Sequence, residues 1–207
     1  MMDMVKSSAP FSWLTASEEL RTELVRKSIH FLIALTPGMA AVNRPVTVLL
    51  LMAGTLFYTA VETLRISGAH VPLFSTVISM AARSRDNGKF VMGPVTLGLG
   101  ALLALLLYPS PAASIAIYAL AFGDGLASLV GKLIGRIRPA FMLGKSIEGS
   151  AACFFAVFFM TYQISSNSRT ALIAAVTATL VEALPLKDYD NIILPLTVGF
   201  VVQLAAF

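Results

Sequence analysis

The sequence predicts an all-α polytopic membrane protein of about seven transmembrane helices, with a cytoplasmic N-terminus and its polar chemistry at the cytoplasmic face. Three observations carry this prediction. Of 207 residues, 57% are hydrophobic and only 13% are charged, where an ordinary soluble domain has about 25% charged. Mean hydropathy is +0.82. The apolar residues come in long runs, and the charges crowd into alternate breaks between those runs.

Taken in order, residues 1–27 read as a cytoplasmic amphipathic helix, with Ser17 placed to cap "SEELRTELVRK". The opening stretch has no compact apolar core followed by a small-residue cleavage site, so no cleavable signal peptide is expected. Residues 28–207 read as one membrane-embedded domain with apolar runs at 28–42, 45–64, 90–108, 112–129, 150–164, 170–183 and 192–207. A crossing takes about 20 residues, so the first, fifth and sixth runs must extend as helices into their polar flanks. The single cysteine, Cys153, lies in an apolar run and excludes an intrachain disulfide.

Seven crossings put all but Arg44 and Arg169 of the 15 basic residues on the N-terminal side. The positive-inside rule makes that side cytoplasmic. All 11 acidic residues fall there too, while the opposite connections, "NRP", "YPSP" and "SSNSRT", are nearly bare. A transporter or channel would need ionisable groups near the bilayer midplane, and the sequence places none there. The net charge of +4 suits anionic headgroups or a nucleotide, and no nucleic-acid partner is expected.

Five polar constellations gather at the charged face. In "ELVRKSIH", Glu23, Arg26, Lys27 and His30 share one helix face. Arg26 and Lys27 could be mere anchors, but anchoring needs no imidazole. Glu62 and Arg65 stand one turn apart, and the mixed segment after them, with His70 as a surface histidine, reads as an interfacial amphipathic stretch. In "GDGLASLVGKLIGR", Ala119, Gly123, Ala127, Gly131 and Gly135 form a small-residue packing stripe. Beside it Asp124, Ser128, Lys132 and Arg136 form a polar stripe, a donor set suited to a metal-bound phosphate chain. In "GKSIEGS", Lys145 and Ser146 could contact phosphate and Glu148 could hold Mg²⁺, with Gly149 as a turn. In "EALPLKDYDN", Asp188 and Asp190 with the adjacent Asn191 could share a hard cation, with Glu182 upstream. Standard nucleotide fingerprints fail: "GDGLAS" lacks a third glycine, and Pro139 stands where a P-loop ending at "GKS" needs its first.

In this order and spacing, "ELVRKSIH", "GDGLASLVGKLIG", "GKSIEGS" and "EALPLKDYDN" resemble the family of CTP-dependent lipid kinases. That family holds dolichol kinase, phytol kinase and a CTP-using diacylglycerol kinase, and is distantly similar to the phosphatidate cytidylyltransferases. The resemblance implies that 28–207 is a catalytic domain transferring the γ-phosphate of CTP, with Mg²⁺, to a membrane lipid alcohol. That alcohol would be diacylglycerol or an isoprenoid such as phytol or a polyprenol, entering laterally from the cytoplasmic leaflet. Arg26, Lys27 and His30 match the family's N-terminal signature, and Gly123, Asp124 and Gly125 its nucleotide motif. Lys145, Ser146, Glu148 and Gly149 match the second part of that motif, and Glu182, Asp188, Asp190 and Asn191 the acidic C-terminal part.

The roles implied are these. Asp124, Asp188, Asp190 and Glu182 are candidate Mg²⁺ ligands, and Arg26, Lys27, Ser128, Lys132 and Lys145 candidate phosphate contacts. His30 or a carboxylate would take the hydroxyl proton. Asp124, His30, Lys27 and Asp188 are thus the catalytic candidates, expected in a prokaryotic cytoplasmic membrane. The alternatives are a phosphatidate cytidylyltransferase-like enzyme and a non-catalytic scaffold or transporter.

Overall fold

A computed structural model describes residues 12–69, 74–82, 86 and 88–205, excepting the side chains of 12–19, 74, 75, 77, 79 and 141. Among the described residues all regular structure is helical. Helix α1 (Ser12–Leu32) passes through a 3₁₀ turn, Ile33–Leu35, into α2 (Thr36–Ile66). Ser17 therefore lies inside α1 and does not start it, and α1 crosses residue 27 unbroken. The "NRP" break does appear, inside α2, where Asn43 leaves helical geometry at φ −154° and ψ 97°. Pro45 has no N–H to continue the ladder. Asn43 restarts the helix instead: its side chain accepts the Val46 N–H at 3.1 Å and its carbonyl accepts the Thr47 hydroxyl at 2.8 Å.

A short α3 (Phe74–Ala81) and then α4 (Gly93–Leu107) follow. Next, α5 (Ala112–Tyr118), a π-helical stretch (Ala119–Asp124) and α6 (Gly125–Leu133) form one continuous helix. The bundle is completed by α7 (Ile147–Ser165), α8 (Ser168–Ala183) and α9 (Asp190–Ala205). All seven apolar runs are thus helical. Three stretches are long and apolar enough to cross a membrane: Leu20–Ile66, Ala112–Leu133 and Ile147–Ser165. Gly93–Leu107 is apolar but shorter. His70, Arg83, Arg85 and residues 1–11 lie outside the described residues.

One expectation is corrected here. The two stripes of "GDGLASLVGKLIGR" do not run its full length, because α6 ends at Leu133 and Ile134 leaves the helix. Glu148 draws the chain away by accepting the backbone N–H of Arg136 at 2.9 Å and of Ile137 at 3.2 Å. Gly135 and Arg136 therefore fall off both stripes.

The core is built from small side chains. Ala116, Ala174, Ala175 and Ala178 are fully buried beside Leu120 and Leu194, which lets α5, α8 and α9 approach closely. Large apolar side chains such as Leu56, Phe155, Phe159 and Leu180 point outward and are exposed. An apolar exterior around a small-residue core is what lipid solvent permits and water does not.

The two ends of the bundle differ. At one, Arg44 donates to the carbonyls of Leu105 and Tyr108, holding the turn at Asn43 against the C-terminus of α4. At the other, the fully buried Glu62 receives a two-pronged contact from Arg65, at 2.6 and 2.7 Å, and accepts the Val91 N–H at 2.7 Å. Arg65 also donates to the Lys89 carbonyl at 3.0 Å. The expected Glu62–Arg65 pair is therefore a clamp on the entry to α4.

Candidate active site

The α1 constellation faces inward. Lys27 is fully buried, and its ammonium is held by the carboxylate of Asp124, 97 residues away at the end of the π-helical stretch. A buried ammonium without a counter-charge would be prohibitive, so this pair fixes α1 against the long central helix. His30 sits nearly one turn further along α1. Its Nε2 lies 2.8 Å from the Leu120 carbonyl and 3.3 Å from Asp124 Oδ2. A carbonyl only accepts, so Nε2 carries the hydrogen, and a neutral ring keeps its lone pair on Nδ1. The π-helical stretch supplies both Leu120 and Asp124, in keeping with the use of such stretches at functional sites.

Glu23 pairs with Arg26 on its own helix and, across the interface, with Lys132 Nζ of α6 at 2.9 Å. Arg26 keeps a buried Nε without a partner. Lys145 donates to the Glu182 carbonyl and lies 3.2 Å from its Oε1, while the Ser150 hydroxyl donates to Oε2 at 3.2 Å.

Arg26, Asp124, Lys132, Lys145 and Glu182 of these groups line a cleft of about 470 Å³, while the buried Lys27 lines neither it nor the cavity beside it. Arg26 enters the cleft from α1, Asp124, Ser128 and Lys132 from the central helix, and Lys145 and Ser146 from the loop before α7. Gly149, Glu182 and Asp190 also line it. A second, largely apolar cavity of about 130 Å³ lies alongside, walled by Ile29, Ile78, Val91 and Leu97. Its polar lining is Arg26, His30, Tyr58, Asp86, Asp188 and Asn191. Arg26 thus borders both spaces, and His30 and Asp124, in contact with each other, border one each.

The candidate residues divide accordingly. Arg26, Asp124, Ser128, Lys132, Lys145, Ser146, Gly149, Glu182 and Asp190 share the polar cleft; His30, Asp188 and Asn191 line the apolar cavity. Asp188 and Asp190, read as a shared cation site, open into different spaces, because Asp188 lies in a 3₁₀ turn, Lys187–Tyr189, and Asp190 begins α9. Asn191 is buried, donates to the Gly93 carbonyl at 3.3 Å and Thr96 Oγ1 at 3.0 Å, and keeps Oδ1 without a partner.

Gly123 and Gly125 line neither space. A Cβ on Gly123 would stand 2.8 Å from Val157 of α7, and one on Gly125 2.6 Å from the Phe31 ring of α1, so both serve close helix packing. Glu148 lies outside both spaces and organises the 134–137 chain. Ser146 caps α7 by accepting the Gly149 N–H at 3.1 Å.

Two contributors escaped the sequence reading. Arg138 lines the cleft and donates to the Gly131 carbonyl at 2.6 Å; its signal was only a basic loop. Ser150 ends the "GKSIEGS" motif and needed its partner on α8 to be recognised.

Among the described residues no three of the His, Cys, Asp and Glu side chains converge as a metal cage. Magnesium does not require one, since it is commonly held by one or two carboxylates together with substrate phosphates. Asp124 and Asp190, bordering the same cleft, fit that mode.

Fold and site together define an all-helical membrane protein with a cation-lined cleft set against an apolar cavity. No protein-family model matches the chain, and no solved structure matches it. Among curated proteins it is 28% identical to "Phytol kinase 1, chloroplastic" of Arabidopsis thaliana, over 90% of the chain and 67% of that protein. It is 26% identical to "Probable phytol kinase 1, chloroplastic" of Oryza sativa subsp. japonica, over 90% of the chain and 65% of that protein. It is 29% identical to "Probable phytol kinase 2, chloroplastic" of the same species, over 58% of the chain and 45% of that protein. The chain thus spans about half to two thirds of the length of these relatives. It is similar to proteins named phytol kinases, one of the groups its motifs resemble. Relatives named chloroplastic give no support to the expected prokaryotic cytoplasmic membrane.

Proposed function

We propose that the chain is a membrane kinase that transfers the γ-phosphate of CTP to the hydroxyl of an isoprenoid alcohol. The bundle would cross the bilayer seven times, with both cavities at the face holding the N-terminus. One observation carries the reading. A cleft lined with cations and an apolar cavity meet at Arg26, with the Lys27–Asp124–His30 cluster on the boundary. A reaction between a phosphate chain and a lipid hydroxyl needs both environments within bonding distance.

In this reading Lys132, Lys145 and the unpartnered Nε of Arg26 receive the donor phosphates, and Ser128 and Ser146 add hydroxyl contacts. Mg²⁺ arriving with the nucleotide would neutralise phosphate charge, with Asp124 and Asp190 placed to hold it. The acceptor hydroxyl enters the apolar cavity, where His30 Nδ1 and Asn191 Oδ1 are the acceptors offered to it. Its oxygen attacks the γ-phosphorus, the bond from that phosphorus to the β,γ-bridging oxygen breaks, and CDP leaves. The hydroxyl proton passes to His30. Lys27 keeps Asp124 ionised and stationary at the boundary, and the apolar walls keep water from competing for the phosphate.

The test is an assay of the purified full chain with γ-labelled CTP or ATP against phytol, geranylgeraniol and diacylglycerol. Label carried from CTP into an isoprenoid alcohol is the expected result. Label appearing as pyrophosphate would establish nucleotidyl transfer instead, and label in neither product would overturn both enzyme readings.

A further inference from the structure

The apolar cavity, at about 130 Å³, is smaller than the several hundred Å³ of a usual small-molecule pocket. It can hold the hydroxyl end of a lipid alcohol, and the tail must leave it. A second apolar space of about 330 Å³ begins where the cavity ends, sharing Ile29, Tyr58, Pro94 and Leu97 with it. This groove runs between α1, α2 and α4 as far as Met39 and Thr47. Along α2, from Tyr58 to Thr47, its length is about 16 Å at the helical rise per residue.

Its wall is shaped for a chain. Gly54 faces it without a side chain, and a Cβ there would meet nothing within 4 Å. Leu50 and Met39 border it and are exposed on the outer surface of the bundle, so the groove opens toward lipid. Its shared walls set it beside the cavity that His30 lines.

We infer that this groove is the tail site of the acceptor, and that it selects a single-chain isoprenoid alcohol over two-tailed diacylglycerol. The inference rests on the kinase reading above. The alcohol enters sideways between α2 and α4, its tail lies along Leu50, Leu51 and Gly54, and its hydroxyl passes Tyr58 to reach His30. Gly54 and Leu50 set the length of tail that fits.

The experiment compares kcat/KM for geraniol, farnesol, geranylgeraniol and diacylglycerol in the full-length protein, in Gly54→Leu and in Leu50→Trp. Leucine is a better helix former than glycine, so the first variant keeps its fold. The unaltered protein should prefer the longer alcohols and reject diacylglycerol. Gly54→Leu should lower the geranylgeraniol-to-geraniol ratio by about tenfold or more, the scale set by lost methylene contacts in an apolar site. Leu50→Trp, one turn further from the cavity, should lower it less. Leu172→Trp, on the exposed face of α8, should leave the ratio unchanged. Ratios unmoved by both groove substitutions, or diacylglycerol used as well as geranylgeraniol, would overturn the tail site while leaving the kinase standing. An unaltered protein that phosphorylates no alcohol would bring down the kinase reading and this inference with it.

Discussion

Each end of the helix bundle holds cations against its frame, and the two ends do it with different partners. Arg44 is satisfied by the carbonyls of Leu105 and Tyr108, which close α4. Lys27, Lys132 and Lys145 are satisfied by Asp124, Glu23 and Glu182, carboxylates on other helices. A helix carbonyl stays where the backbone puts it, so Arg44 is a fastening. A carboxylate partner is a side chain whose place a phosphate oxygen can take, because both are anionic acceptors. The end with exchangeable partners is also the end with the cleft. Carboxylate-held cations bordering an open cleft mark the site end; a carboxylate alone does not, since Glu62 holds Arg65 in a clamp.

That contrast breaks most visibly at the buried pair. Asp124→Asn should cut phosphoryl transfer by about 10²–10³-fold, the scale of losing a preorganised electrostatic group. It should also destabilise the protein by about 3–5 kcal/mol, since Lys27 would be left buried without a counter-charge. Replacing both, Lys27→Met with Asp124→Leu, should restore most of the thermal stability and none of the activity. A double variant that regained activity would make the pair structural only.

A smaller effect is expected at Glu182→Gln, which removes the charge held by Lys145 and Ser150. Freed from a competing carboxylate contact worth about 1.5–3 kcal/mol, Lys145 should hold the phosphates more tightly and the KM for the nucleotide should fall severalfold. The KM for the alcohol should stay constant. Equal changes in both would show that the polar cleft and the apolar cavity are not separate subsites.

The smallest effect sharpens the comparison from the opposite end. Arg44→Met should lower stability by about 1 kcal/mol, measured by thermal unfolding in detergent, with kcat and both KM values unchanged. A change in kcat would mean that the far end is coupled to the chemistry.

Much of this was legible because charge is scarce in the sequence. In a chain with 13% charged residues, Lys27, His30 and Asp124 stand out from their apolar surroundings, and helical spacing assigns each a face. Spacing does not say which helix covers that face. The Lys27–Asp124 pairing spans 97 residues and follows from the packing of α1 on the central helix, which no local pattern encodes. The glycines show the same limit: Gly123 and Gly125 flank Asp124 in sequence, yet they point at α7 and α1. Asp188 and Asp190 looked like a pair until a single 3₁₀ turn sent them into different spaces. The seven apolar runs were readable because lipid demands them, whereas the end of α6 depended on Glu148 reaching across to Arg136 and Ile137.

The π-helical stretch from Ala119 to Asp124 makes the site sensitive to counting as well as to chemistry. A π turn accommodates one residue more than an α turn. Inserting one further apolar residue there, after Ala121 for example, would exceed what the π turn takes up and swing Asp124 by about 100° relative to α5. Every charged side chain, every motif and the overall hydropathy would survive, and Lys27 would face an empty wall. In this molecule the position of the candidate site is set partly by the number of residues along a greasy helix, so a one-residue insertion can displace it without touching a polar group.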